Sequence, residues 1–198
     1  LIAGRRSIDL VYNRLTDFYL QSPACATLRE ACATGAAVFT PSPRAHALYA
    51  NKRNLAVLSD EAALRTMGVP GEVVEILSAA VPRTVVVSAD NAAELWADRR
   101  QLFFKPASGH GSRGTYKGAK LTKKTWSSIL QSDYVAQALV PPGERLLVTD
   151  GAMRTLKVDI RCYAYRGEIQ LLGARMYRGQ TTNFRTDGGG LTAVFTTP

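Results

Sequence analysis

The chain has 198 residues, 46% hydrophobic and 21% charged, an ordinary globular balance that excludes an extended disordered segment or a short peptide-like module. Its 25 Lys and Arg against 16 Asp and Glu give a formal charge of +9, so the expected partner is anionic: nucleotide phosphate or nucleic acid. No apolar run is long enough to span a bilayer, no signal-peptide pattern opens the chain, and Cys25, Cys32 and Cys162 form no Cys-x-x-Cys pair, so a soluble protein with reduced thiols in the cytoplasm is expected.

Residues 8–12 are β-prone and give way to polar Asn13 and Arg14, the arrangement found where ligands meet the carboxyl ends of strands. An Ala-rich helix over 25–33, stopped by Gly35, leads to a second strand over 36–40 and a turn imposed by Pro41-Ser42-Pro43. Helical composition then runs over 45–58, with Lys52 near its middle, followed by a helix over 60–67 capped by Asp60 and stopped by Gly68, and another over 72–80. Val85-Val86-Val87 reads as a buried strand and 91–100 as a helix. The alternation of strand and helix makes the class α/β.

The most informative stretch is 102–118. An apolar strand, Leu102-Phe103-Phe104, delivers Lys105 and Pro106 to its end, and Gly109, Gly111 and Gly114 follow, with Arg113 and Lys117 in the same loop. Glycines at this density let backbone N–H groups approach an anion closely and permit positive φ. The spacing matches the dinucleotide fingerprint, but that motif needs a helix to start inside it, and β-prone Thr115-Tyr116-Lys117 follows here instead. A strand–loop–strand flap over phosphates is expected; a flexible surface hairpin with scattered basic residues is the alternative reading. Beyond it come a helix over 121–130, a strand over 134–140 stopped by Pro141-Pro142, and an Asp150-Gly151 turn. Residues 157–165 and 168–176 read as an antiparallel pair joined at Arg166-Gly167, with Asp159 and Arg161 on one face. Asn183 and then Gly188-Gly189-Gly190 follow, the triplet implying either a close backbone approach or a mobile loop.

The order of these motifs resembles the ATP-grasp superfamily, in particular its glutathione synthetase and ribosomal-protein glutamate ligase branch, over nearly the whole chain. Asp9 to Arg14, Lys52, Gly68-Val69, Pro82-Arg83-Thr84, Lys105-Pro106 with its glycine loop, Asp159-Ile160-Arg161, Arg175, and Asn183 with the glycine triplet stand in the family's order. The resemblance implies an ATP-grasp fold of two α+β lobes gripping ATP, preceded by part of an open α/β domain. The segments would be 1–90 for that partial domain, 91–140 for the small lobe with its flap, and 141–198 for the second lobe. It further implies that Lys52, Lys105, Gly109, Gly111 and Gly114 hold phosphates, that backbone at Gln137 to Leu139 meets adenine, and that Glu144 or Asp159 meets the ribose. Arg161, Arg175 and Asn183 would face the transferred phosphoryl group and the acyl substrate. The implied activity is ATP-dependent ligation of a small-molecule or peptide carboxylate to an amine or thiol through an acyl phosphate.

The family's magnesium ligands, an acidic residue followed by Glu-x-Asn, do not occur before Pro198. Magnesium is implied with ATP, but its ligands are left unassigned, with Asp159 and Asn183 as substitutes within the chain. The chain also begins at Leu1 without a methionine and reads as a piece of something longer. A non-catalytic nucleotide- or partner-binding domain of the same fold is the second reading. A nucleic-acid-binding protein is the third, disfavoured because the basic residues are dispersed and not interleaved with aromatics. Membrane association is not expected, His110 reads as an exposed loop residue, and nothing in the sequence assigns the oligomeric state, the acyl donor or the acceptor.

Overall fold

The computed structural model of the chain describes residues 1–149 and 151–196; Asp150, half of the expected 150–151 turn, lies outside the described residues. Two compact units divide the chain, Leu1–Ala138 and Leu139–Pro198. Mixed α/β structure is what the sequence leads one to expect and what the structure has. No helix among the described residues is long and apolar enough to cross a membrane.

The first unit opens with a ribbon of β1 (Ile2–Ala3) and β2 (Arg6–Ser7), then β3 (Leu10–Tyr12), α1 (Ala26–Ala33) and β4 (Val38–Thr40). β3 and β4 pair in parallel, Val11 opposite Phe39, as a connection through a helix requires. Leu20, Cys25, Ala31, Ala37 and Phe39 form the core beneath this pair.

The continuous helix expected over 45–58 is two helices, α2 (Pro43–Tyr49) and α3 (Arg53–Leu58). The break has a local cause, because asparagine side chains compete for backbone partners. Asn54 Nδ2 donates to Leu48 O at 2.7 Å, and Asn51 Oδ1 accepts from the Arg53 N–H at 2.9 Å. Lys52 consequently stands at the start of α3 and not in mid-helix. α4 (Glu61–Thr66) is capped by Asp60, whose carboxylate accepts from the Ala63 N–H at 3.0 Å, and ends before Gly68 at φ +76°; α5 (Gly71–Ala80) follows.

Next along the chain come β5 (Thr84–Val86), α6 (Ala92–Asp98), β6 (Leu102–Pro106), β7 (Tyr116–Lys117), α7 (Lys123–Leu130) and β8 (Tyr134–Ala138), whose four strands form the sheet that matters for the site. Its strand order is β5-β8-β6-β7, antiparallel throughout, so it draws on residues from both sides of position 90. Phe104, Val87, Leu95, Ile129 and Ala136 fill the core, with Trp126 edge-on to Phe104 at 5.4 Å. Thr122 caps α7 through the Thr125 N–H. β8 ends at Ala138, two residues before the expected limit.

The second unit is an antiparallel sheet of order β12-β11-β10-β9, comprising β9 (Gly143–Thr149), β10 (Ala152–Tyr165), β11 (Glu168–Tyr177) and β12 (Gly190–Ala193). The expected hairpin is present, with β10 starting earlier, at Ala152, and β11 ending one residue later, at Tyr177, and it turns through Arg166 and Gly167, both at positive φ. β9 and β12 were not expected. The glycine triplet resolves as a close approach: a Cβ at Gly189 would be driven into the Met176 carbonyl, and Gly190 opens β12 opposite Met176.

Candidate functional site

Within the first unit the chain brings Lys52, Lys105 and the glycine loop together from distant sequence positions. In β6, Phe103 faces Gln137 and Lys105 faces Val135, so Lys105 and Gln137 are diagonal neighbours on one sheet face, while Gln137 stands directly opposite Thr84 on the other side. A chain of hydrogen bonds follows from that register. Lys105 Nζ donates to Gln137 Oε1 at 2.6 Å, Gln137 Nε2 to Thr84 Oγ1 at 2.9 Å, and Thr84 Oγ1 to Pro82 O at 2.8 Å. Gln137 and Thr84 are buried, and the chain satisfies each of these polar groups, as burial demands. Gln137, whose backbone is expected to meet adenine, lies inside β8. The residue lies in a strand paired on both edges, and what it offers the site is its side-chain amide. Leu139 lies just beyond the end of β8.

Lys52 is fixed twice to the flap. Its N–H donates to Ala107 O at 2.8 Å and its Nζ to Gly109 O at 3.2 Å. Gly109, Gly111 and Gly114 all have positive φ, so the expected backbone freedom is used at each. At Gly114 a Cβ would also lie 2.9 Å from the Tyr134 hydroxyl, which donates to Gly114 O at 2.9 Å. The expected flap therefore exists as a strand–loop–strand element, β6 pairing with β7, and no helix starts inside it. His110 is not a free loop residue as expected: its ring sits edge-on to Phe18, centroids 5.2 Å apart.

Neither lysine forms an ion pair with a carboxylate among the described residues. Burial, and then the charge of Lys52, hold Lys105 below the ordinary lysine value; burial does the same to Lys52. Two cations that repel each other in a partly desolvated site favour an anionic guest.

The second unit assembles the other candidates. Asp159 and Arg161 share a face of β10, and the register sets Arg175 directly opposite Asp159 and Glu144 opposite Lys157, so Glu144, Asp159, Arg161 and Arg175 lie on the same face. Arg175 grips Asp159 with two bonds, Nε to Oδ1 at 2.7 Å and Nη2 to Oδ2 at 3.0 Å, and Thr182 Oγ1 donates to Oδ2 at 2.8 Å. Arg161 is exposed, with Tyr163 beneath it at 5.9 Å, and Glu144 is exposed. Asn183 organises its own loop. Its amide donates to Arg178 O, and its Oδ1 accepts from the Arg185 N–H at 3.0 Å and Thr186 Oγ1 at 3.0 Å.

Magnesium held through nucleotide phosphates needs one or two carboxylates. Among the described residues no group of three or more His, Cys, Asp or Glu gathers to hold a metal ion. Of the two substitutes suggested by sequence, Asp159 is occupied by Arg175 and Thr182, and the Asn183 oxygen by its own loop. These residues do not fit the ion.

Sequence reading passed over Thr84, Tyr134 and Thr182 as site residues. Thr84 stands in the Pro82-Arg83-Thr84 motif without an assigned role and Tyr134 is an ordinary strand former, and the register is what makes both recognisable as site supports.

No protein-family model matches the chain, and no curated protein matches it. Among solved structures the chain is similar to the ATP-grasp ligase PsnB complexed with a minimal precursor, with 20% sequence identity and a TM-score of 0.39, over 84% of this chain and 55% of that one. The chain thus spans little more than half the length of that ligase chain.

Proposed function

We propose that the chain is the nucleotide-gripping part of an ATP-dependent ligase of the ATP-grasp kind. The observation that carries this reading is the pair Lys52 and Lys105, uncompensated by any carboxylate among the described residues and set against a glycine loop whose carbonyl at Gly109 already engages Lys52. A triphosphate supplies the charge that these cations lack, and glycine N–H groups add neutral donors around it. The order of motifs along the whole chain adds the class of reaction. The γ-phosphoryl group passes from ATP to a carboxylate oxygen, giving ADP and an acyl phosphate. An amine or thiol then attacks the acyl carbon, and inorganic phosphate leaves. Such transfer is accelerated chiefly by positioning and by cations near the moving charge, which is the role Arg161 and Arg175 would take. Asn183 would act one step back, by shaping the loop beside them.

The test is calorimetric titration with ATP, followed by incubation with ATP, magnesium and a panel of carboxylates and amines, with mass spectrometry for ADP and new amide bonds. ATP binding with amide formation supports the ligase. Binding without ADP release from any acceptor makes the chain a nucleotide-binding domain. Tight binding to single- or double-stranded nucleic acid in place of ATP would replace the reading altogether.

A further inference from the structure

The chain has two histidines, 46 and 110, and the fold brings them together beside Lys52. His46, in the last turn of α2, stacks flat on Phe18 at 3.9 Å with 12° between the planes, and Tyr19 meets it edge-on at 5.5 Å. His110, at the tip of the glycine loop, abuts the edge of the same Phe18 ring. Its neighbour Gly109 accepts from Lys52 Nζ. The Nδ1 of His46 is buried without a hydrogen-bond partner, an unsatisfied polar atom next to a site that already lacks negative charge.

We propose that His46 and His110 are binding residues of this anion site, and that seating a nucleotide polyphosphate on Lys52 draws protons onto them, so that binding is coupled to proton uptake near neutral pH. The proposal rests on the nucleotide reading above. The groups that face the two rings are Tyr19 from the segment before α1, Lys52 from the start of α3, and each other, with Lys105 beyond Lys52. Asp17, next to Phe18, directs its carboxylate to the N–H groups of Gln21 and Ser22. In the free protein the charged side chain set against His46 is Lys52, which is positive. Burial, then His110 and Lys52, hold His46 below the ordinary histidine value. A bound polyphosphate reverses the sign of that local field. The complex then binds more protons than the free protein, and by linkage affinity falls as pH rises.

The experiment is ATP calorimetry at pH 6 and pH 8 on wild type, His110→Gln and the His46→Gln/His110→Gln double variant, with heats at pH 7 in two buffers of different ionisation enthalpy to count protons. Comparing variants removes the titration of ATP itself. Wild type should weaken from pH 6 to pH 8 by about tenfold more than the double variant, since one linked proton changes affinity by at most about tenfold per pH unit. Wild type should also take up more protons. His110→Gln should lie between, and it carries the test alone if the double variant does not fold. ATP binding with the same pH dependence and proton count in all three proteins overturns the proposal and leaves the nucleotide reading intact. No ATP binding to folded wild type removes both.

Discussion

Lys105 and Gln137 meet at 2.6 Å, cation to neutral amide, and the amide is held in that orientation because its nitrogen donates to Thr84. A carboxylate at position 137 would quench the lysine; an amide holds it in place and leaves its charge available. Because burial and Lys52 lower its value, Lys105 binds fewer protons in the folded than in the unfolded chain at pH values between that lowered value and 10.5. Stability therefore rises with pH through this window and carries the full penalty below it. Lys105→Met should flatten this alkaline rise in a denaturant series. It should also weaken ATP binding by about tenfold to a hundredfold, the usual worth of a charged hydrogen bond. An unchanged pH slope would mean that Lys105 is not penalised in the folded state.

Gly118 and Gly68 separate two reasons for needing glycine. At Gly118 an added Cβ would be driven into the Arg99 carbonyl and would lie 2.9 Å from Leu102 O, backbone that cannot step aside. At Gly68 nothing lies within 4 Å, and only the positive φ opposes a side chain. Gly118→Ala should cost about 3 kcal/mol or more, as overpacking against fixed atoms does. Gly68→Ala should cost about 1–2 kcal/mol, the penalty for a left-handed residue. Urea midpoints measure both, and equal losses would contradict the crowding around Gly118.

What sequence made legible was local chemistry. Asp60 as a cap, the strand into Lys105 and the Arg166-Gly167 turn each follow from a few adjacent residues, and the structure has them. What it hid was pairing between distant segments. That β5 joins β8, or that Asp159 stands opposite Arg175, depends on register, which no neighbouring residue specifies. The split between α2 and α3 was readable in retrospect from Asn51 and Asn54, whose side chains outcompete helix continuation. β9 was missed because two prolines precede Glu144 and Arg145 and mark a stiff hinge with no strand expected beyond it, although β10 pairs with them. His110 read as an idle loop residue because its partner, Phe18, is 92 positions away.

The flap should be anchored at its base and open at its tip. The Ala107 N–H donates to Asp133 O and the Lys52 N–H to Ala107 O, at 2.9 and 2.8 Å. The N–H groups over 108–112 make no hydrogen bond to a described residue. Hydrogen exchange should find Ala107 and Lys52 slow and 108–112 fast in the free protein, because protection follows hydrogen bonding and burial. Adding ATP should slow the tip. Protection of the tip equal to that of Phe104 before ATP is added would make the loop a rigid hairpin and remove the reason to expect a closing flap.

Asp159 and Arg175 provide the sharpest separation of structure from chemistry. Their side chains are 30% and 23% exposed, so solvent screens the pair. An Asp159→Ala/Arg175→Ala cycle should return a coupling of about 1 kcal/mol, not the several expected of a dry ion pair. If Arg175 also meets the phosphoryl group during transfer, Arg175→Ala should lower turnover on the order of a hundredfold, while ATP affinity changes by less than about threefold. Arg161 is the control that makes this interpretable. It forms no ion pair among the described residues, so Arg161→Ala should change stability by less than about 0.5 kcal/mol. Any loss of ADP release in that variant then reports on the reaction alone. A turnover loss confined to Arg175→Ala, and matched by Asp159→Ala, would trace the effect to the collapse of one ion pair and not to a charge acting on the transition state.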